Sequence, residues 1–212
     1  MKYDLHTHTK YSRCSLIEPG MNVKQAIKKG ISGIAVTDHN TIKGALKTKT
    51  LADSDFEVIV GEEVMTNCGE ILAYYVNEEI KPGNYNDVLD RIKAQGAIAS
   101  LAHPFSRGIK RKMAGIDKEL IKRVDAVEVF NARTSTRANN KAKTLAENYR
   151  LGMSGGSDAH LTWEVGRGYT IARNDLRKEL LQKKTSAFGN NNLLLVGRVM
   201  SLPIMMTRKI IR

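Results

Sequence analysis

The chain has 212 residues, 42% of them hydrophobic. That is enough for one large or two small domains with a real core, and it excludes a compositionally disordered chain. Two cysteines, Cys14 and Cys68, exclude a disulfide scaffold and point to a reducing compartment, hence the cytoplasm. No apolar run nears the ~20 residues of a membrane span, and Met1-Lys2-Tyr3-Asp4 reads as the start of a strand, with no signal peptide. A net charge of +12 suits anionic partners such as phosphorylated small molecules, nucleic acid or a membrane surface, or else simply a soluble lysine-rich exterior.

Short apolar runs alternate with 3.6-residue periodicity. In chain order the spacing predicts strands over Lys2 to Leu5, Gly33 to Val36, Phe56 to Val60, Ile71 to Val76, Ala97 to Leu101, Ala126 to Phe130, Gly152 to Ser154 and Tyr169 to Ala172. Helices are predicted between them, over Val23 to Lys29, Ile42 to Leu51, Asn86 to Gln95, Lys118 to Arg123, Arg137 to Tyr149 and Leu176 to Lys183, with Gly30, Gly96 and Gly152 closing three of them. Such alternation implies a mostly parallel sheet, because parallel strands need crossovers. Seven or eight repeats in this length fit a closed or nearly closed α/β barrel, with an open doubly wound sheet as the fallback. The barrel is expected to occupy residues 1–185. Residues 186–212, with an Asn-rich turn at 189–192 and an apolar, basic end, are expected to form a C-terminal extension packed on the barrel or a basic amphipathic tail.

The five histidines, His6, His8, His39, His103 and His160, each sit in a polar cluster beside an apolar run. So do Glu63, Asn131 and Asp158. The C-terminal ends of strands are where α/β barrels build their sites, and imidazoles gathered there with carboxylates suit divalent metals. His6 and His8 share one face of an extended segment, with Asp4 close enough in sequence to orient a ring. Asp158 and His160 repeat the same spacing after the Gly155-Gly156 pair. Of the adjacent acids Glu62 and Glu63, one is expected to face the metals and the other to be a solvated carboxylate on the opposite side. Pro104 ends the strand before His103.

Asp4-Leu5-His6-Thr7-His8-Thr9, Thr37-Asp38-His39-Asn40-Thr41, Gly61-Glu62-Glu63, Ala102-His103-Pro104, Glu128-Val129-Phe130-Asn131 and Ser157-Asp158-Ala159-His160 together resemble the motifs of the PHP (polymerase and histidinol phosphatase) family. This is a phosphoesterase branch related to the amidohydrolases, and the resemblance runs over about residues 2 to 185. It implies a distorted seven-stranded (βα)7 TIM-like barrel holding two or three divalent ions of manganese, zinc or iron. By position, His6, His8 and Asp158 join Glu63 at one metal, Glu63 is the bridging carboxylate, His103 serves a second metal, and His39 and His160 serve a third or complete the cluster. Cys14 stands where many members carry a further Asp or His ligand, and a thiolate there suits zinc or iron better than manganese. Some members have a histidine or cysteine near Asn131, and a neutral amide there is expected to contact substrate instead.

The implied reaction is hydrolysis of a phosphate ester by metal-activated hydroxide. Asp158 is expected to orient or deprotonate the water, and His160 or a second water to protonate the leaving group. Arg133 and Arg107, each a few residues past a strand end, are candidate phosphate clamps beside Lys10, Arg13, Lys43 and Arg167. The expected substrate is a small phosphorylated metabolite or nucleotide. The alternatives are a nuclease acting on DNA or RNA ends, a histidinol phosphatase, and a non-catalytic RNA-binding scaffold resembling the ribonuclease P barrel subunit.

Overall fold

In a computed structural model, residues 1–106 and 118–192 are described. Arg107 and the expected tail from residue 193 onward lie outside them. Among the described residues six α-helices run over Pro19–Lys28 (α1), Lys43–Lys49 (α2), Tyr85–Ala94 (α3), Lys118–Ile121 (α4), Thr136–Tyr149 (α5) and Leu176–Leu181 (α6). Nine strands run over Lys2–Thr7 (β1), Gly33–Val36 (β2), Glu57–Thr66 (β3), Gly69–Tyr74 (β4), Ile98–Leu101 (β5), Ala126–Asn131 (β6), Gly152–Gly156 (β7), Gly168–Ile171 (β8) and Ser186–Gly189 (β9). Among the described residues no helix is long and apolar enough to cross a membrane.

Local chemistry explains the helix ends. Asn84 caps α3 by accepting from Asn86 N, Ser135 caps α5 by accepting from Ala138 N, and Asp175 caps α6 by accepting from Lys178 N. Gly30 and Gly96 end α1 and α3 with φ of +68° and +65°. The third expected closing residue, Gly152, does not act this way. Arg150 takes the left-handed position at φ +52°, and Gly152 instead opens β7, where a Cβ would stand 2.5 Å from Leu180 O.

The strands form one mixed sheet in the order β7-β6-β5-β4-β3-β2-β1-β8-β9. Two features correct the expectation of seven strands in a mostly parallel barrel. There are nine strands among the described residues, and only β1–β2, β2–β3, β5–β6 and β6–β7 pair in parallel, while β3–β4, β4–β5, β1–β8 and β8–β9 are antiparallel. Only Asn67 and Cys68 separate β3 from β4, too few residues for a crossover, so these two strands form a hairpin. β3 runs well past Val60, and both Glu62 and Glu63 lie within it. Past residue 185 the chain continues into the sheet as β9.

The sheet nearly closes on itself. At the far end of β7, Asp158 N donates to His6 O at 2.8 Å and His8 N to Ala159 O at 3.0 Å, joining the last parallel strand back to β1. Gly156 permits this approach, since a Cβ there would lie 2.5 Å from His6 N. Val88, Leu89 and Ile92 of α3 and Ala142 and Ala146 of α5 pack on β4 to β6. Val23 and Ala26 of α1 and Ala45 of α2 cover Ile34, Val36 and Val58. Each large aliphatic side chain fully buried there contributes roughly 1.5–3 kcal/mol.

Glu62 faces away from the barrel centre, as alternation requires, but it is not solvated. It is completely buried, Oε2 accepts from Ile80 N at 2.9 Å, and burial pushes its carboxyl up to about 7.

Candidate metal centre

β1 carries His6, and His8 follows one residue past its end, so both rings emerge on the same side. Their Nε2 atoms are 3.2 Å apart. Facing them are Glu63 of β3 and Asp158 of the loop after β7. Glu63 Oε2 lies 3.4 Å from both Nε2 atoms, and Asp158 Oδ1 lies 3.6 Å from His6 and 3.3 Å from His8. All four side chains are buried.

The outer nitrogens determine which way the lone pairs point. His6 Nδ1 is 2.9 Å from Glu128 Oε1, a carboxylate that only accepts, so the neutral ring carries its proton there. Ser12 Oγ gives its one proton to Asp38 Oδ1 at 2.7 Å and can only accept from His8 Nδ1 at 3.4 Å. His160 Nδ1 donates to the Asp158 carbonyl at 2.7 Å. With both rings neutral, His6 Nε2, His8 Nε2, Glu63 Oε2 and Asp158 Oδ1 converge as four lone-pair atoms with no hydrogen to share. Glu63 Oε2 has no hydrogen-bond partner. A buried convergence of this kind is repulsive until a cation, either a proton on His6 or a metal ion, stands within it. The nitrogen separation is close to the ~3.3 Å expected of two ligands about 2.0–2.1 Å from one tetrahedral ion. The donor set therefore fits a divalent metal.

The same field acts on protons. Burial alone lowers the basicity of His6, but Glu128, Asp158 and Glu63 outweigh it and raise its pKa well above the ordinary value. Burial lowers that of His8. For Glu63, burial works upward but is overcome by the nearby His39 and His6 and by a hydrogen bond from His103, which hold the carboxyl well below its usual range.

Glu63 also reaches the other half of the cluster. Its Oε1 is 3.0 Å from His103 Nε2, and its Oε2 is 3.0 Å from His39 Nδ1. Each oxygen thus serves a different set of imidazoles, as a bridging carboxylate must. Glu70 of β4 completes this side, with Oε1 3.7 Å from His39 Nδ1 and Oε2 3.7 Å from His103 Nε2. Four groups of donor atoms, each within 4.8 Å of one another, result: His6, His8 and Asp158; His6, Glu63 and His103; His39, Glu63 and Glu70; and His8, Cys14 and His39. His160 belongs to none of these groups, although its ring lies 4.6 Å from that of His8.

The scaffold holds this geometry under strain. His103 and Asp158 have φ of +26° and +54°, conformations that cost about 1–3 kcal/mol each and persist where their surroundings over-determine them. His103 N donates to Glu128 Oε2, and Asn131 Nδ2 donates to both Glu128 Oε2 and Asp158 Oδ2. The Asn131 carbonyl oxygen accepts from Arg133 N, so the amide is committed to protein partners. Arg133 is buried and ion-paired to both oxygens of Glu164, which also accepts from His160 N and Leu161 N. Arg133 thereby braces the His160 loop. Lys10 is ion-paired to Glu18, and the Arg167 guanidinium lies over the Trp163 ring.

Asp4 does not orient a ring. Its carboxylate accepts from the backbone N–H groups of His6, Ser157 and Gly166, tying β1 to the Asp158 loop, and burial raises its pKa to about 6. The ring-orienting acid is Glu128, which sequence reading named in a motif but gave no role. Its only local signal is a charge within the apolar Ala126–Phe130 run. Glu70 was missed because β4 is antiparallel, so the start of that strand, and not its end, lies at the metal-facing end of the barrel.

Replacing Glu128 by Gln is expected to weaken divalent-metal affinity about 10–100-fold. His6 Nδ1, His103 N and Asn131 Nδ2 all donate to Glu128, so an amide NH2 meets a donor wherever it points. Calorimetric titration of manganese or zinc into the folded variant checks this, and unchanged affinity would remove Glu128 from the site.

A family profile described as PHP-associated matches residues 136–183, the stretch holding Asp158 and His160. The chain is 42% identical over 176 residues to the uncharacterized protein MJ0417 of Methanocaldococcus jannaschii, covering 80% of this chain and 69% of that protein. It is 43% identical over 148 residues to the uncharacterized protein MJ1587 of the same organism, covering 62% and 82% respectively. Among solved structures, a two-domain protein of Bacteroides vulgatus containing a predicted PHP-like metal-dependent phosphoesterase superposes with a TM-score of 0.77 at 19% identity, covering 95% of this chain and 69% of that one. Endonuclease Q, in complex with a 27-mer duplex substrate with an abasic lesion at its active site, superposes with a TM-score of 0.60 at 15% identity, covering 85% of this chain and 55% of that one.

Proposed function

The chain belongs to the PHP family, and from that premise we propose that it is a metal-dependent phosphoesterase acting on a small phosphorylated metabolite or nucleotide. The observation that carries this reading is the convergence of His6 Nε2, His8 Nε2, Glu63 Oε2 and Asp158 Oδ1 within 3.2–3.6 Å of their neighbours. Two or three divalent ions would be held by His6, His8, His39, Glu63, His103 and Asp158, with Glu70 as a further carboxylate. Bound there, such ions would lower the pKa of a water and neutralise phosphoryl oxygens.

The chain's own residues do the rest. Asp158 presents Oδ1 to the cluster while Asn131 holds Oδ2, so it can orient the attacking water and receive its proton. His160 keeps Nδ1 on the Asp158 carbonyl, leaving Nε2 to pass a proton to the leaving oxygen. Glu164 fixes the backbone of His160, and Arg133 neutralises Glu164. The excess of positive charge over the whole chain favours anionic substrates.

A nuclease acting on nucleic-acid ends is the second reading, favoured by that charge and by the likeness in fold to Endonuclease Q. An RNA-binding scaffold needs no ligand set, and the buried donor cluster speaks against it. The test is phosphate release from a panel of phosphomonoesters, 3′,5′-bisphosphates and end-labelled oligonucleotides, with manganese or zinc and with chelator. Metal-dependent release is expected from a small substrate. Strand cleavage in its place would move the assignment to the nuclease, and no turnover with any metal would overturn both.

A further inference from the structure

We propose that the groove between Phe105 and the outer face of α5 is a docking surface for a single-stranded oligonucleotide. This goes beyond the phosphoesterase reading and does not depend on it, because no groove residue belongs to the donor cluster. The groove is a cavity of about 670 Å³ on the flank of the barrel. α5 turns Ala138, Ala142 and Ala146 inward, so Arg137, Lys141, Thr144 and Asn148, three or four positions apart, line up on its outer side. All four are exposed, as is Asn140 beside them. The floor is apolar: Phe105 and Leu145 are half-buried and rest on the core beneath. Arg137 to Asn148 spans roughly 16 Å of helix, the length of several stacked nucleotides at ~3.4 Å each.

Charge and shape select the occupant. The lining holds two cations and no carboxylate. Among the described residues neither Arg137 nor Lys141 has an ion-pair partner. They stand one helical turn apart beside an aromatic ring, and unpaired nucleic acid is held by this combination of backbone cations and a stacking platform. Phosphates take the two cations, a base takes the open side of Phe105, and the Asn140 and Asn148 amides supply donors and acceptors for base edges. A duplex keeps its base faces stacked inside and has none to offer Phe105. A bilayer cannot receive an apolar floor recessed below polar side chains. The groove also has a direction. Phe105 follows His103 by two residues, at most ~7 Å of chain, and α5 begins at Thr136 just after β6 ends at Asn131. A docked strand therefore has one end at the metal-facing end of the barrel.

The test is fluorescence anisotropy of labelled single-stranded oligo(dA) with the full chain in chelator, across a salt series. Saturable binding that weakens with salt is expected. Arg137→Gln with Lys141→Gln is expected to lower affinity at least about tenfold at low salt and to flatten the log–log salt slope by about 1.4, at ~0.7 per phosphate contact. Each single substitution is expected to flatten it by about 0.7, which decides the matter should the double variant fail to fold. Phe105→Leu is expected to cost at least about fivefold in affinity. Lys24→Gln with Lys28→Gln, exposed lysines at the same spacing on α1, is expected to leave affinity within about twofold. No binding by the wild type, or an equal loss from the α1 pair, would overturn the groove. Equal affinity for the oligo(dA)·oligo(dT) duplex, or equal competition by polyglutamate, would overturn the single strand as its occupant. Because binding is read in chelator, its failure leaves the phosphoesterase reading standing, and a chain that binds without hydrolysing leaves the groove standing.

Discussion

Asp158→Asn is expected to lower kcat/KM for the phosphate ester proposed as substrate by at least about a thousandfold, or ~4 kcal/mol of transition-state stabilisation, and to leave the far-ultraviolet circular dichroism unchanged. Asp158 has Oδ1 3.3 Å from His8 Nε2 and 3.6 Å from His6 Nε2, with Oδ2 held by Asn131. Removing its charge therefore weakens the ligand set and the group that handles the water's proton together. Asparagine is the better probe because residue 158 has φ +54°, a conformation that asparagine tolerates and alanine resists. Asp158→Ala is expected to lose as much activity with an added cost in stability of about 1 kcal/mol. His8→Ala removes a ligand from the opposite wall and is expected to match the loss. Wild-type-like turnover by Asp158→Asn or His8→Ala sinks the assignment.

Divalent metal is expected to raise the melting temperature by roughly 8–16 °C when its free concentration is about a thousand times its dissociation constant. Binding to the native state alone contributes about 4 kcal/mol at that ratio, and each kcal/mol moves a chain of this size by about 2–4 °C. The native state has cause to bind so selectively. Glu63 is fully buried with its oxygens aimed at His6, His8, His39 and His103, whereas unfolding disperses these donors along the chain between His6 and His103. The response is measured by scanning calorimetry with manganese or zinc and with chelator. It is expected to shrink by more than half in Glu63→Gln, whose amide cannot bridge. A melting temperature indifferent to every metal tried would mean that the buried donors do not bind one.

Much of this site can be read in the linear chain because its parts are local. His6 and His8 two residues apart, His39 just past β2, His103 before Pro104 and Asp158 after paired glycines each announce a strand end. Glu70 and Glu128 carry no such mark. Glu70 enters because a two-residue turn reverses β4 and brings the start of the strand to the metal-facing end. Glu128 enters through β6, where its carboxylate reaches His6 across 122 positions of sequence. The i, i+2 pair Asp158 and His160 is not a strand face either, since the left-handed turn at Asp158 places the His160 Nδ1 on the Asp158 carbonyl.

The sequence by itself determined the six helices, eight of the nine strands among the described residues and most of the donor types, because periodicity, caps and motif spacing are short-range properties of the chain. Only the tertiary structure decided the nine-strand mixed sheet, the roles of Glu70 and Glu128, the burial of Glu62 and the engagement of Arg133 with Glu164. Each of these depends on which distant strand lies alongside, and that is settled by sheet pairing and closure.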